Sequence, residues 1–136
     1  MTERMLTEAH WGYYAFVLAS GEVAEKGKLA VIDTANGGII IVAKAAASLI
    51  PIGIFLENLT GDGAKKVQIK LHREIQATWW DNDGTNPVAI TDRGKLCYIK
   101  DATTVSILGT SRSTAGMILD VDTKKGVLVH FNYKAW

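Results

Sequence analysis

Along much of the chain apolar and polar side chains alternate residue by residue, in short runs bounded by glycine. The plainest run is Lys65-Lys66-Val67-Gln68-Ile69-Lys70-Leu71-His72. A period of two places Val67, Ile69 and Leu71 on one face of a strand and the lysines on the other. Gly61-Asp62-Gly63 precedes it as a turn, and the apolar Ile52-Gly53-Ile54-Phe55-Leu56 lies before that turn. Further on, Lys95-Leu96-Cys97-Tyr98-Ile99 and Thr104-Val105-Ser106-Ile107 flank the turn-like Lys100-Asp101-Ala102. Residues 117–121 and 127–131 flank Asp122-Thr123-Lys124-Lys125-Gly126, whose last residue suits a hairpin loop closing through a positive φ.

The first third of the chain is less regular. Residues 29–33 and 38–43 read as a strand pair around Thr34-Ala35-Asn36-Gly37, with Asn-Gly as the turn signal. Ala43-Lys44-Ala45-Ala46-Ala47-Ser48 has high helix propensity, but Pro51 follows so closely that it predicts one or two turns at most. The segment holding Trp11, Tyr13, Tyr14 and Phe16 reads as an arm, an irregular stretch or a first strand. Val, Ile and Thr number 10, 13 and 12, and such β-branched side chains pack well on a pleated surface. The expected fold is all-β: a single small sandwich or barrel with at most short helical turns. Residues 1–18 form an arm or first strand in this reading, and residues 19–136 the β-rich body.

Composition narrows the function more by exclusion than by naming one. The chain has 136 residues, a length that fits one domain able to bury its own core. Fifteen Lys and Arg against 14 Asp and Glu leave a net charge of +1, which argues against a broad basic face for nucleic acid. The longest apolar runs, residues 39–43 and 49–56, fall far short of the roughly 20 residues of a membrane-spanning helix. The first eight residues carry both charge signs and none of the features of a signal peptide, so the expectation is a protein that is intracellular when made, with no membrane partner. A single cysteine, Cys97, excludes an internal disulfide.

Templates for catalysis and cofactor binding fit poorly. The stretch from Gly21 to Leu29 resembles a phosphate loop, but its spacer is one residue too long and Leu29 stands where a Ser or Thr is needed. His10, His72 and His130 are scattered and make no helical pair for zinc. Asp81-Asn82-Asp83-Gly84 resembles the start of a calcium loop, yet Asn86 and Asp92 occupy the places of the required glycine and glutamate. Cys97, in an alternating strand, reads as a small buried hydrophobe rather than a nucleophile. The hydroxyl-rich stretch from Gly109 to Gly116 lacks the glycine spacing of a nucleophile elbow and reads as a loop. No catalytic residue, metal or cofactor is therefore expected.

Trp79-Trp80-Asp81-Asn82-Asp83 is the most distinctive local cluster. Neighbours on a strand point to opposite faces, so one tryptophan serves the core and the other lies outside. An outward tryptophan with Asp81 and Asp83 beside it suits stacking on a sugar ring, while the plainer reading is one core Trp and one at a subunit interface.

The layout from Val23 to Phe131 resembles the capsid decoration (cement) proteins of tailed bacteriophages. The features are Gly27-Lys28-Leu29-Ala30-Val31, then Ile50-Pro51-Ile52-Gly53-Ile54-Phe55, then Gly61-Asp62-Gly63 leading to the Val67–Ile69 strand, and Asp92-Arg93-Gly94-Lys95-Leu96-Cys97-Tyr98. The closing hairpin, from Ala115-Gly116-Met117-Ile118 to Gly126-Val127-Leu128-Val129, is the part most similar to the family. The N-terminal aromatic segment and the Trp79-Trp80 pair depart from the pattern. The resemblance implies a non-enzymatic virion structural protein. It would be made in the host bacterial cytoplasm and bound as a homotrimer to the major capsid protein on the outer surface of the expanded shell. Trp11, Tyr13, Tyr14 and Phe16 are the candidate capsid or subunit contacts, since charge mixed with aromatic anchors makes interface hot spots. The alternative functions are a carbohydrate-binding module using the cluster Trp79, Trp80, Asp81 and Asp83, and a small enzyme whose site assembles between subunits.

Overall fold

The computed structural model describes residues 13–72 and 77–131. It is all-β, with no helix of seven or more residues among them. Among the described residues twelve strands run in chain order: β1 Tyr13–Val17, β2 Val23–Ala24, β3 Leu29–Asp33, β4 Ile39–Val42, β5 Leu49–Phe55, β6 Leu59–Thr60, β7 Lys66–Leu71, β8 Ala77–Asn82, β9 Leu96–Ile99, β10 Thr104–Ser106, β11 Thr114–Asp122 and β12 Gly126–His130. Short 3-10 turns cover Thr34–Asn36 and Ile90–Asp92.

The strands divide into two layers and a small ribbon. The first layer is a five-stranded sheet in the order β1-β7-β5-β3-β4, antiparallel between neighbours. The second is a closed barrel in the order β10-β8-β12-β11-β9, in which only β8 and β10 run parallel. Closure removes sheet edges from this half of the molecule. The strands β2 and β6 pair as a separate ribbon.

Sequence alternation sets which residues meet. One face of the sheet gives Leu29, Val31, Ile41 and Leu49 to the same apolar cluster as Trp80, Ile99, Ile118 and Phe131 of the barrel. The opposite face gathers Leu18, Ala30, Phe55, Val67 and Ile69 into a second cluster with Ala24 of the ribbon. The register between β3 and β5 slips between Ala30 and Val31, a bulge that leaves Ile52 without a partner opposite. It bends β5 so that Leu49 feeds the shared core while Phe55 feeds the second cluster.

Two local expectations match the structure closely. Residues 29–33 and 38–43 pair as expected, with Gly37 and Gly38 both at positive φ after the Thr34–Asn36 turn. The hairpin of β11 and β12 closes at Gly126, φ 96°, and the Asp122 carboxylate accepts the N–H groups of Lys124 and Lys125 at 2.9 and 2.8 Å. Two others are corrected. Residues 43–48 form no helical turn. Their backbone is held from a distance: the Ala46 carbonyl accepts from Ser113 Oγ at 2.7 Å, and the Leu49 N–H donates to that same oxygen at 2.8 Å. Ser48 sits at φ 65°, outside helical space. The stretch from Gly109 to Gly116 is a loop only in its first part, since Thr114 to Gly116 already pair with β9.

Candidate functional site: the β1 edge and the Trp79 groove

Of the four candidate contact aromatics, Trp11 lies outside the described residues, while Tyr13, Tyr14 and Phe16 belong to β1. The arm reading is corrected for those three. The segment pairs with β7 of its own sheet, Tyr14 opposite Ile69 and Phe16 opposite Val67. Phe16 packs on the second apolar cluster, and Tyr14 meets it edge-to-face with ring centroids 4.9 Å apart. A stretch this apolar gains more from burying one face at home than from staying extended in water.

The other side of β1 is mostly unpaired among the described residues. The Leu18 N–H donates to the Lys65 carbonyl at 3.0 Å, so the even-numbered residues turn their backbone groups toward β7. The backbone groups of Tyr13, Ala15 and Val17 therefore point the other way, and among the described residues only β4 meets that side, where the Leu18–Ile40 bridge engages the Val17 carbonyl; no strand pairs with Tyr13 and Ala15 there. The sheet approaches closure only where β1 ends, at a parallel bridge between Leu18 and Ile40, with the Ala19 N–H donating to Ile40 O at 3.0 Å. Beyond the bridge the edge of β4 is capped, since the Val42 N–H donates to Glu22 Oε1 at 2.8 Å. Tyr13 is 45% exposed and Val17 42% exposed. Val17, Ala19, Gly38 and Ile39 line an open groove of about 520 Å³ at the seam.

In β8 the four cluster residues separate. Trp80 is 6% exposed and joins the shared core, with its indole edge-to-face against Phe131 and its Nε1 donating to Thr78 Oγ1 at 2.6 Å. Trp79 faces outward, half-buried, with the Lys125 ammonium 5.5 Å from its ring centroid. Asp81 is exposed on the same side, two residues along. The reading of all four as an exposed cluster is corrected for Trp80 and Asp83: strand alternation takes Trp80 inward, and a cation takes Asp83.

Asp83 is 1% exposed and is the centre of a charged cluster built from three turns of the barrel. Lys100 Nζ lies 2.9 Å from Oδ1, Arg112 Nη1 3.9 Å from Oδ2, Ser106 Oγ donates to Oδ2 at 2.8 Å, and the Thr85 N–H donates to Oδ1 at 2.9 Å. The Lys100 hydrogen bond first, then that from Thr85, holds this carboxyl far below the usual carboxylate range. Its oxygens are committed, so Asp81-Asn82-Asp83-Gly84 is a tied turn. Asn82 bridges the same loop, accepting from the Val88 N–H and donating to the Val88 carbonyl. Among the described residues, no group of three or more His, Cys, Asp or Glu side chains is placed to hold a metal ion. The sequence reading missed Lys100, Ser106 and Arg112, because no spacing rule links them to Asp83.

Cys97 is fully buried in β9, its Sγ 3.6 Å from the Gly116 carbonyl. Burial pushes the thiol up to about 12, so it stays protonated and packs as a hydrophobe.

A groove of about 440 Å³ runs between the two layers beside Trp79, lined also by Gly27, Ile54, Thr78, Asp81 and Thr103. A second, of about 620 Å³, starts from the same Asp81 and passes Ile90, Val121, Thr123 and Lys124. No helix among the described residues is long and apolar enough to cross a membrane. Comparison of the chain with protein-family models, with curated proteins and with solved structures finds no match.

Proposed function

We propose that the protein is a non-enzymatic virion structural protein that binds and stabilises the expanded capsid lattice of a tailed phage, as a homotrimer on the outer surface. The observation that carries this reading is the edge of β1 at Tyr13 and Ala15, which no strand pairs with among the described residues. A strand edge without charge, proline or cover is a template for pairing with another chain, and proteins that stay monomeric usually blunt such edges. Here the sequence Tyr-Tyr-Ala-Phe-Val has no charged residue, and exposed Tyr13 and Val17 flank the row of backbone groups. The edge strand supplies hydrogen bonds for affinity, and its side chains and the Ile39 groove supply specificity.

The resemblance to decoration proteins gives the partner, and the placement of its motifs agrees with a rigid body of this kind. The closing motif from Ala115 to Val129 is the β11–β12 hairpin, embedded in a closed barrel. The contact moves from a free arm to a strand of the folded body, with Tyr13, Tyr14 and Phe16 in different roles: Tyr13 outward, the other two anchoring the edge from within.

The test is sedimentation of the purified protein with expanded phage heads. Saturable co-sedimentation is expected, and Val17→Lys, which places a charge on the exposed edge, should weaken it by about tenfold or more with an unchanged far-ultraviolet spectrum. Absence of binding to heads overturns the function, and unchanged binding of Val17→Lys overturns the β1 contact. Light scattering should report three copies per particle; a monomer mass overturns the trimer.

A further inference from the structure

We propose that the two grooves meeting at Asp81 form a binding site for a linear pyranose oligosaccharide, with Trp79 as the stacking platform. This inference is independent of capsid binding and rests on what the site offers a ligand. The indole of Trp79 is half-exposed and lines the inter-layer groove, whereas Lys125, which stands over the ring, does not line it. Lys125 therefore pins the ring without filling the groove, so little side-chain freedom remains to be lost on binding. A flat aromatic surface takes the apolar C–H face of a pyranose.

The polar groups are acceptors for hydroxyls. Asp81 is exposed, and its carboxylate forms no hydrogen bond or ion pair with the described residues. Its backbone is fixed, since its N–H donates to the Thr103 carbonyl at 2.9 Å. It is the one residue shared by the two grooves, so a chain of sugar rings resting on Trp79 passes the carboxylate and continues toward Thr123 and Lys124. The combination of an indole plane, a free carboxylate and threonine side chains is that of a saccharide site: mostly apolar, with a few polar groups that fix orientation.

Other ligand classes fit less well. A peptide added as a strand needs a long run of free backbone groups, and β12 takes one edge of β8 from Ala77 to Trp80 while β10 ends the other at Asp81. A nucleic acid would bring phosphates against Asp81 and Asp122 on one groove.

The test uses the isolated full chain with no capsid present, titrated with cellotriose, maltotriose and chitotriose and, separately, with a lysine-rich hexapeptide. Tryptophan fluorescence and calorimetry are read together. At least one trisaccharide should bind in the millimolar range or better. Trp79→Ala should weaken it about tenfold or more, and Asp81→Asn, an exposed change that leaves the fold intact, several-fold. Lack of binding by all three sugars, binding unaffected by both substitutions, or binding of the hexapeptide alone overturns the proposal. None of these outcomes bears on sedimentation with heads, so the two readings fail separately.

Discussion

His72 makes the stability of this protein depend on pH in a window where few other groups titrate. It directly follows β7, is 3% exposed, and stacks on Phe131 just after β12, ring centroids 3.9 Å apart and 16° from parallel. Neither ring nitrogen has a hydrogen-bond partner among the described residues. Burial lowers its pKa from the usual 6.5 to about 3, because the charged form is stripped of solvent. The native fold thus accepts only the neutral ring. The stability it supports is complete above the unfolded value of 6.5 and is lost as pH falls from there toward 3. At 1.36 kcal/mol per pH unit, the loss reaches about 2 kcal/mol near pH 5. The carboxylates that gain hydrogen bonds on folding, among them Asp83, Asp92 and Asp122, lose stability in the same direction but only at lower pH, near and below the carboxylate range. Urea unfolding between pH 7.5 and 4.5 measures the slope. His72→Phe keeps the ring stack and removes the titration, so its stability should be flat across the window where the parent falls. Because it removes two unpaired polar atoms, it should match or exceed the parent at pH 7.5, by up to about 1 kcal/mol. An equal slope in parent and variant between pH 6.5 and 5 would refute the reasoning.

Three further outcomes follow from the packing. Gly126→Ala should unfold the closing hairpin or cost several degrees of melting temperature, since a Cβ there overlaps the Trp80 carbonyl, whereas Gly21→Ala, also at positive φ but in open space, should cost only about 1 kcal/mol. Asp83→Asn should lower the melting temperature at pH 7 by leaving Lys100 without its anion, and adding Lys100→Met should recover part of the loss. Cys97 should resist a thiol reagent in the native protein and react at once in denaturant; rapid native labelling would contradict its burial.

What was legible in the sequence was what is decided locally. The Asp122-to-Gly126 turn is specified by its own glycine and aspartate, and the β7 alternation by burial of Val67 and Ile69 on one face. Trp79 and Trp80 had to part company, although the sequence could not assign the inward one. The misread elements depend on distant partners. Ala43-Lys44-Ala45-Ala46-Ala47-Ser48 is kept from helix by Ser113, 67 residues beyond Ala46. Asp83 is removed from the exposed cluster by Lys100, Ser106 and Arg112, which reach it only because β8 and β10 run parallel in the barrel. Tyr13 to Phe16 carried signals for both an arm and a strand, and Val67 and Ile69 across the sheet decide for the strand.

The sharpest test of capsid binding is electron microscopy of expanded heads assembled with and without this protein. Added density is expected on the outer surface at threefold positions, with β1 at the contact and with Val17→Lys needing about tenfold more protein to fill them. Heads that show no added density at saturating protein would contradict it.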